Sequence, residues 1–261
     1  MCFELDSRPP ILPIAGASME SRSEILTAAD GTAVPAFRAW PRPDNGPTTA
    51  SGAGIVILPD VRGLHRFYEE LALRFAERGI EALAIDWFGR TAPSPVRGEA
   101  FDHVPHVVQT TWAGISADIA AGVAAARGAD GTHPVFTLGF CMGGRMSFLA
   151  ATLGLDLAGV IGLYGTLAGP WRNDAPAPVD RTSEFESPVL GLFGGADTSI
   201  TPEAIAAFDE GLTATGIEHR LVTYPGAPHS FFDRKAAEFA DESAAAWDEI
   251  LAFIERHAAT R

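Results

Sequence analysis

Cysteine, long apolar runs and an N-terminal leader pattern are scarce or missing in this sequence. Two cysteines, Cys2 and Cys141, occur in 261 residues and lie far apart, so no disulfide framework is indicated and a reducing compartment is favoured. No segment approaches the roughly 20 apolar residues that cross a bilayer. The first residues also lack the basic region and apolar core of a signal peptide. We therefore expect a cytoplasmic protein that does not engage membranes.

Positive charge is also in short supply. Lysine and arginine total 19 against 33 aspartates and glutamates, which gives a net charge of −14. Such an acidic field repels phosphate backbones, so nucleic acid is not an expected partner and a small molecule is. The sequence shows neither a cluster with metal-ligand spacing nor a glycine-rich phosphate loop, so we expect no metal and no other cofactor.

The remaining composition is that of an ordinary globular protein. Hydrophobic residues make up 47% and charged residues 20%, and the length suits one large domain. Residues 1–23, proline-rich and then polar, are interpreted as an N-terminal extension, and residues 24–261 as a single domain. Residues 25–29 and 34–40 predict an antiparallel hairpin that turns at Asp30-Gly31.

After this hairpin, short apolar runs alternate with helical patterns. Strands are predicted at 54–59, 80–85, 134–139, 159–164, 188–194 and 219–224, and helices at 67–78, 112–127, 142–153, 202–213 and 236–257. Because a parallel crossover usually contains a helix, this alternation predicts a parallel sheet between helices. Residues 89–105 and 167–187 are irregular, and we expect them to wall a pocket beyond the carboxyl ends of the strands.

The segment GFCMG at residues 139–143 has the spacing of a nucleophile elbow between a strand and a helix. The turn is so tight that the positions two before and two after the nucleophile must be small, and here both are glycine. At its tip Cys141 would meet the positive end of the following helix, which favours thiolate. The N–H of Met142 would supply one oxyanion donor. The alternative is that Cys141 is a small buried hydrophobe.

An acid and a histidine follow the elbow in the order that this architecture requires. Asp197, in LFGGADT, comes directly after an apolar strand, and His229, in YPGAPHSFF, lies in a loop after the last strand. A carboxylate there can hold the Nδ1 proton of the imidazole and stabilise the imidazolium. Separately, Asp197 could be a turn or N-cap residue and His229 a solvated loop residue. Together with Cys141 they predict a Cys-His-Asp catalytic triad.

These motifs resemble the dienelactone hydrolase family of α/β-hydrolases, the carboxymethylenebutenolidases. The resemblance rests on Cys141 within GFCMGG, Asp197 within GGAD and His229 within GAPHSFF. It implies an α/β-hydrolase fold, with a mostly parallel sheet, flanking helices and an N-terminal antiparallel hairpin. It also implies an enzyme that opens a lactone or cleaves a carboxylic ester.

The resemblance also implies roles for residues around the nucleophile. Asp60, in LPDVRG, takes the place of a family glutamate that gates the thiol, and the N–H of Val61 becomes the second oxyanion donor. A turn residue is the other interpretation of Asp60. Arg90, in IDWFGR, matches an arginine that binds the substrate carboxylate. Tyr164, in GLYGT, takes the place of a tyrosine near the pocket.

One part of the family pattern is displaced in this sequence. A second substrate-binding arginine stands four residues after the histidine in the family, where this chain has Asp233, and Arg234 follows one position later. An acidic residue there weakens the case for a substrate carboxylate. Phe140, Trp87 and Phe88 are either pocket walls or core.

Three functions remain open from the sequence. The first is a dienelactone hydrolase-like enzyme with a cysteine nucleophile, and the second is a general carboxylesterase or thioesterase for neutral esters. The third is a small-molecule receptor that has kept a hydrolase fold without catalysis. The expected assembly is a monomer or a homodimer.

Overall fold

One mixed sheet of eight strands organises the part of the chain that the structure describes. This computed structural model describes residues 7–42, 52–92, 94–95, 97–98, 101–128 and 131–259, so Cys2 and the start of the predicted extension lie outside the described residues. The strands are β1 (Met19–Thr27), β2 (Ala33–Pro41), β3 (Gly54–Leu58), β4 (Glu81–Ile85), β5 (Val135–Phe140), β6 (Gly159–Leu163), β7 (Val189–Gly194) and β8 (His219–Tyr224). They lie in the order β1-β2-β4-β3-β5-β6-β7-β8.

The six strands from β3 to β8 are parallel, and β1 and β2 join them in antiparallel fashion. Every residue of β3, β5, β6 and β7 is buried, as continuous apolar runs predict for strands covered on both faces. The mostly parallel sheet and the N-terminal hairpin are therefore confirmed.

Helices flank this sheet. They are α1 (Arg66–Ala76), α2 (Val104–Val107), α3 (Trp112–Ala126), α4 (Met142–Ala150), α5 (Pro202–Thr215) and α6 (Ala240–Ala258), with a 3-10 helix at Pro178–Glu184. Helices α1 and α6 pack together through Phe75 and Trp247, whose ring centroids are 4.7 Å apart. Among the described helices none is long and apolar enough to cross a bilayer.

The hairpin is longer than the sequence predicts. Strand β1 begins at Met19 rather than at residue 25 and pairs with β2 along its whole length, from Met19 opposite Pro41 to Thr27 opposite Ala33. Residues 20–24 at its start are polar, and most are exposed at this edge of the sheet, so no apolar run marks this part of the strand. Gly31, with φ of 84°, makes the predicted turn.

The connections matter most for function. The parallel strands end at one edge of the sheet, where open α/β sheets bind ligands. At this edge Asp60 follows β3, Cys141 follows β5, Tyr164 follows β6, Asp197 follows β7 and His229 follows β8. The short helix α2 begins at the end of the first stretch predicted to be irregular and continues beyond it, and the 3-10 helix lies within the second stretch.

Candidate active site

Cys141 occupies a strained turn between β5 and α4. Its backbone has φ of 54° and ψ of −112°, a region that costs a non-glycine residue on the order of 1–3 kcal/mol. The turn is held on both sides: the Cys141 N–H donates to the carbonyl of Leu163 at 3.1 Å, and the Cys141 carbonyl accepts from the Arg145 N–H at 3.2 Å. The thiol is half-buried and forms no disulfide.

The two glycines around Cys141 are sterically required. A Cβ atom on Gly139 would lie 1.8 Å from the carbonyl oxygen of Gly143, and one on Gly143 would lie 2.0 Å from that of Leu58. Both distances are far below any real contact, so only glycine fits at these two positions. The tight turn that the spacing predicts is therefore present. The contact with Leu58 also brings the segment that continues into Asp60 against the first turn of α4.

Asp197 and His229 are hydrogen-bonded. The Nδ1 of His229 lies 2.6 Å from the Oδ2 of Asp197, and the other carboxylate oxygen accepts from Ser199 through its N–H at 2.9 Å and its hydroxyl at 2.6 Å. Burial alone would raise the pKa of Asp197, but the hydrogen bonds from His229 and Ser199 outweigh it and lower this pKa below its usual range. The carboxylate therefore stays ionised and fixes the imidazole tautomer with Nδ1 protonated.

Tyr164 lies near both Cys141 and His229. Its ring centroid is 5.0 Å from that of His229, and nearby Cys141 makes a minor contribution to the raised pKa of its hydroxyl, after burial and Asp233. The structure thus gathers Cys141, Tyr164 and the hydrogen-bonded pair of Asp197 and His229 at one edge of the sheet.

Asp60 forms the turn that ends β3. Its side chain is fully buried, one carboxylate oxygen accepts from the Arg62 N–H at 2.9 Å, and its own N–H donates to the Tyr68 hydroxyl at 2.9 Å. Asp60 therefore has the contacts of a turn residue, and its role toward the thiol stays a prediction. The turn also fixes the backbone of the buried Val61.

Arg90 is bound to helix α3 and to the N-terminal hairpin. Its guanidinium donates to Asp118 in α3 at 2.7 Å, to the hydroxyl of Thr32 at 2.7 Å, and to Asp30 in the hairpin turn. It therefore fastens α3 to the hairpin. Burial raises the pKa of Asp118 to about 6, even though the charge of Arg90 opposes this rise.

Asp233 lies inside the protein, and Arg234 lies on its surface. The Asp233 carboxylate is 4% exposed and accepts from the Tyr164 hydroxyl at 2.7 Å. It also accepts from the N–H of Arg234, whose side chain is exposed. The position of the second family arginine is thus occupied by a buried carboxylate bound to a residue of the site.

Arg145 is a site-building residue that sequence reasoning left unassigned. Its side chain is fully buried and donates to the carbonyls of Gly169 and Pro176 at 2.9 and 2.8 Å, and more weakly to those of Thr166 and Ala175. Burial lowers its pKa to about 10. It therefore shapes the loop 165–177, which leaves β6 beside Cys141. Its only signal in the sequence is an arginine one turn after the elbow.

The aromatic residues near the strand ends belong to the core. Phe140, Trp87 and Phe88 are at most 1% exposed, so the interpretation as core, rather than as pocket walls, is correct. In the part of the chain that the structure describes, no group of three or more histidine, cysteine and acidic side chains could hold a metal ion.

The sequence profile of the dienelactone hydrolase family matches residues 44–258, which is most of the chain. The chain belongs to the dienelactone hydrolase family. As a family member it is a hydrolase that acts on esters or lactones, as the sequence predicts.

Relatives and solved structures agree with this membership. A Yersinia pestis protein is 28% identical over 239 residues, covering 90% of this chain and 88% of its own. A Methylorubrum extorquens protein is 32% identical over 203 residues, covering 76% and 68%. Both are named carboxymethylenebutenolidase with the qualifier "putative". A Klebsiella pneumoniae structure, named a dienelactone hydrolase with the same qualifier, is 26% identical with a TM-score of 0.78, covering 91% of this chain and 98% of its own.

More distant neighbours of this dienelactone hydrolase family member show the fold alone. A brefeldin A esterase superposes with a TM-score of 0.69 at 16% identity, covering 98% of this chain and 82% of its own. The predicted α/β-hydrolase fold is confirmed.

Proposed function

We propose that this protein hydrolyses a carboxylic ester or lactone through a Cys141 acyl-enzyme, with His229 and Asp197 as the other members of a triad. The observation that carries this proposal is a cysteine in a strained elbow, at the same sheet edge as a histidine that a buried carboxylate holds at 2.6 Å. Strained backbone of this kind clusters at functional sites because the surrounding structure must maintain it.

In the first half of the reaction, the proton of the Cys141 thiol is on His229, the thiolate attacks the carbonyl carbon, and a tetrahedral oxyanion forms. The N–H groups of Val61 and Met142 donate to this oxyanion. When the intermediate collapses, the carbon–oxygen bond to the leaving alcohol breaks and His229 gives the alcohol its proton. The acyl group is then bonded to sulfur.

In the second half, neutral His229 takes a proton from water, and the resulting hydroxide attacks the thioester. Collapse releases the carboxylic acid and regenerates the thiolate, with the proton on the imidazolium. Asp197 stabilises that imidazolium because its lowered pKa keeps it ionised.

The contacts of the arginines favour a neutral ester over a carboxylate-bearing dienelactone. Arg90 is bound to Asp30 and Asp118, and the position of the second family arginine holds the buried Asp233. We expect turnover of an uncharged aryl ester such as 4-nitrophenyl acetate to exceed that of a dienelactone. A hundredfold preference for the dienelactone would contradict this assignment. The cytoplasmic location and the assembly as monomer or homodimer remain predictions.

The decisive test of the nucleophile is to trap the acyl-enzyme. Rapid acid quenching during turnover of 4-nitrophenyl acetate, followed by mass spectrometry, should show an acetyl group on the peptide that contains Cys141. Cys141→Ala should lose both the adduct and turnover while keeping the fold by circular dichroism, and Cys141→Ser should retain a trace of activity. A Cys141→Ala variant with undiminished kcat would refute the mechanism. A wild-type protein that binds esters without turnover would indicate the receptor alternative.

A further inference from the structure

Tyr164 and Asp233 form a buried hydrogen bond that the proposed reaction does not use. The Tyr164 hydroxyl donates to the Asp233 carboxylate at 2.7 Å, and both side chains are almost completely buried. Burial, together with the charge of Asp233, raises the pKa of Tyr164 well above its usual value. The phenol therefore stays protonated and can donate to Asp233.

Tyr164 is held in a conformation that few side chains adopt. Its φ of 39° lies in the left-handed region, which disfavours a bulky residue. Its N–H donates to the carbonyl of Leu192 at 2.8 Å, and its ring packs against the rings of His229 and Phe231, with centroids at 5.0 and 5.6 Å. A strained residue packed on the imidazole points to a role in placing that imidazole.

Asp233 also fixes the histidine loop, residues 225–239. Ser230, directly after His229, has a φ of 63°, and its carbonyl accepts from the N–H groups of Asp233 and Lys235 at 3.3 and 3.1 Å. The loop thus folds back on itself immediately after the histidine. The bond from Asp233 to Tyr164 then fastens this folded loop to the end of β6.

One hydrogen bond to Asp197 cannot by itself orient the His229 ring. The bond at Nδ1 leaves the ring able to pivot about its donor axis, and such a pivot would carry Nε2 away from the nucleophile. The Tyr164 ring lies against the imidazole and limits this pivot. We propose that Tyr164 and Asp233 are a positioning pair: Asp233 fixes Tyr164, and Tyr164 keeps the His229 ring aimed at Cys141. This inference rests on the proposed function.

The test compares two tyrosines of one aromatic cluster. Tyr164→Phe keeps the ring and removes the hydrogen bond to Asp233. Tyr224→Phe is the matched control, because Tyr224 also packs on Phe231, at 5.1 Å, while its buried hydroxyl has no hydrogen-bond partner among the described residues. We expect Tyr164→Phe to lower kcat for 4-nitrophenyl acetate about tenfold with KM within twofold, and Tyr224→Phe to change kcat by less than twofold.

Variants of Asp233 test the coupling. Asp233→Ala should lower kcat as Tyr164→Phe does, and the double variant should be no worse than either single one, since both remove the same bond. Asp233→Asn keeps an acceptor for the tyrosine and should recover most of the loss. Equal effects of Tyr164→Phe and Tyr224→Phe, or additive losses in the double variant, would overturn the pairing.

A second measurement separates this inference from the proposed hydrolysis. The titratable groups around Tyr164 and His229 are Asp197, Asp233, Cys141 and Tyr68. Alkylation of Cys141 by iodoacetamide, followed by mass spectrometry of its peptide across pH 5 to 9, reports how imidazole and thiol interact without any ester. Tyr164→Phe should slow alkylation at pH 6.5 at least threefold, and Tyr224→Phe should not. Absent ester turnover with this difference intact would refute the proposed function alone, whereas identical alkylation profiles would refute the positioning pair.

Discussion

The nucleophile side, which is the proposed triad of Cys141, Asp197 and His229, and the arginine side, which is Arg90 and Arg145, are built in different ways. On the nucleophile side, Cys141, Asp197 and His229 are placed by backbone: a glycine-lined elbow, a strand end and a folded-back loop. On the arginine side, long side chains bind elements that are distant in the sequence: Arg90 binds the hairpin, and Arg145 binds carbonyls of a loop. Backbone constraints follow from neighbouring residues in the sequence, whereas the partners of an arginine depend on the complete fold.

The largest effect should come from the histidine on the nucleophile side. His229→Ala should lower kcat/KM on the order of 10³-fold, because it removes both proton transfer and the activation of the thiol. His219 provides the matched control, since its Nε2 also contacts an aspartate, Asp209, at 3.1 Å, at the start of β8 rather than beyond its end. His219→Ala should stay within twofold in the same ester assay. Similar losses in the two variants would remove the distinction between the two histidine–aspartate pairs.

Next in size is the steric constraint at the elbow. Gly139→Ala should lower the free energy of unfolding by at least ~3 kcal/mol, because the added methyl would overlap the backbone of Gly143. Gly216→Ala is a control for glycine loss alone: Gly216 has a φ of 71° but open space around it, so about 1 kcal/mol is expected. Urea unfolding measures both. A tolerated Gly139→Ala would mean that the elbow is not sterically fixed.

Variants of Arg145 test whether its buried hydrogen bonds hold the loop 165–177 in place. Arg145→Met should lower the free energy of unfolding by ~2–3 kcal/mol, since several buried carbonyls lose their donor. It should also expose residues 165–177 to limited proteolysis. Arg127→Met is the control, because Arg127 also donates to a carbonyl, that of Asp156, at 2.8 Å, but in a more exposed place. Equal proteolysis of the two variants would contradict the role of Arg145.

The smallest effect on activity should come from Arg90. Arg90→Gln should leave the ratio of kcat/KM values for neutral and carboxylate-bearing esters unchanged, and a change above fivefold would restore the substrate-binding role expected from the resemblance.

Stability of the Arg90 variant should depend on pH. The pKa of Asp118 in the folded protein is about 6, so this carboxyl is protonated near pH 4. Removal of Arg90 then costs little stability through Asp118. At pH 8 it is ionised and buried without its partner. The destabilisation of Arg90→Gln should therefore grow by ~1–2 kcal/mol from pH 4 to pH 8, as measured by urea unfolding. A constant difference would show that Asp118 does not carry this pH dependence.

The same contrast explains what the sequence could predict. Apolar runs located the six parallel strands, and glycine spacing located the elbow, because both follow from local sterics and burial. The polar start of β1 was missed since an edge strand in water shows no apolar run. The partners of Arg90, Asp30 and Asp118, lie 60 and 28 residues away, and their meeting depends on the finished sheet. Asp233 was expected beside the pocket, but its bond to Tyr164 required the fold of the histidine loop.

The residues at the carboxyl edge follow five different strands. The first and the last of them in the sequence are Asp60 and His229, and most of the chain lies between these two. The proposed reaction therefore requires that β3 and β8 have both joined one sheet. Recovery of turnover after dilution from urea would then report the completion of folding, and it should lag behind helix formation seen by circular dichroism.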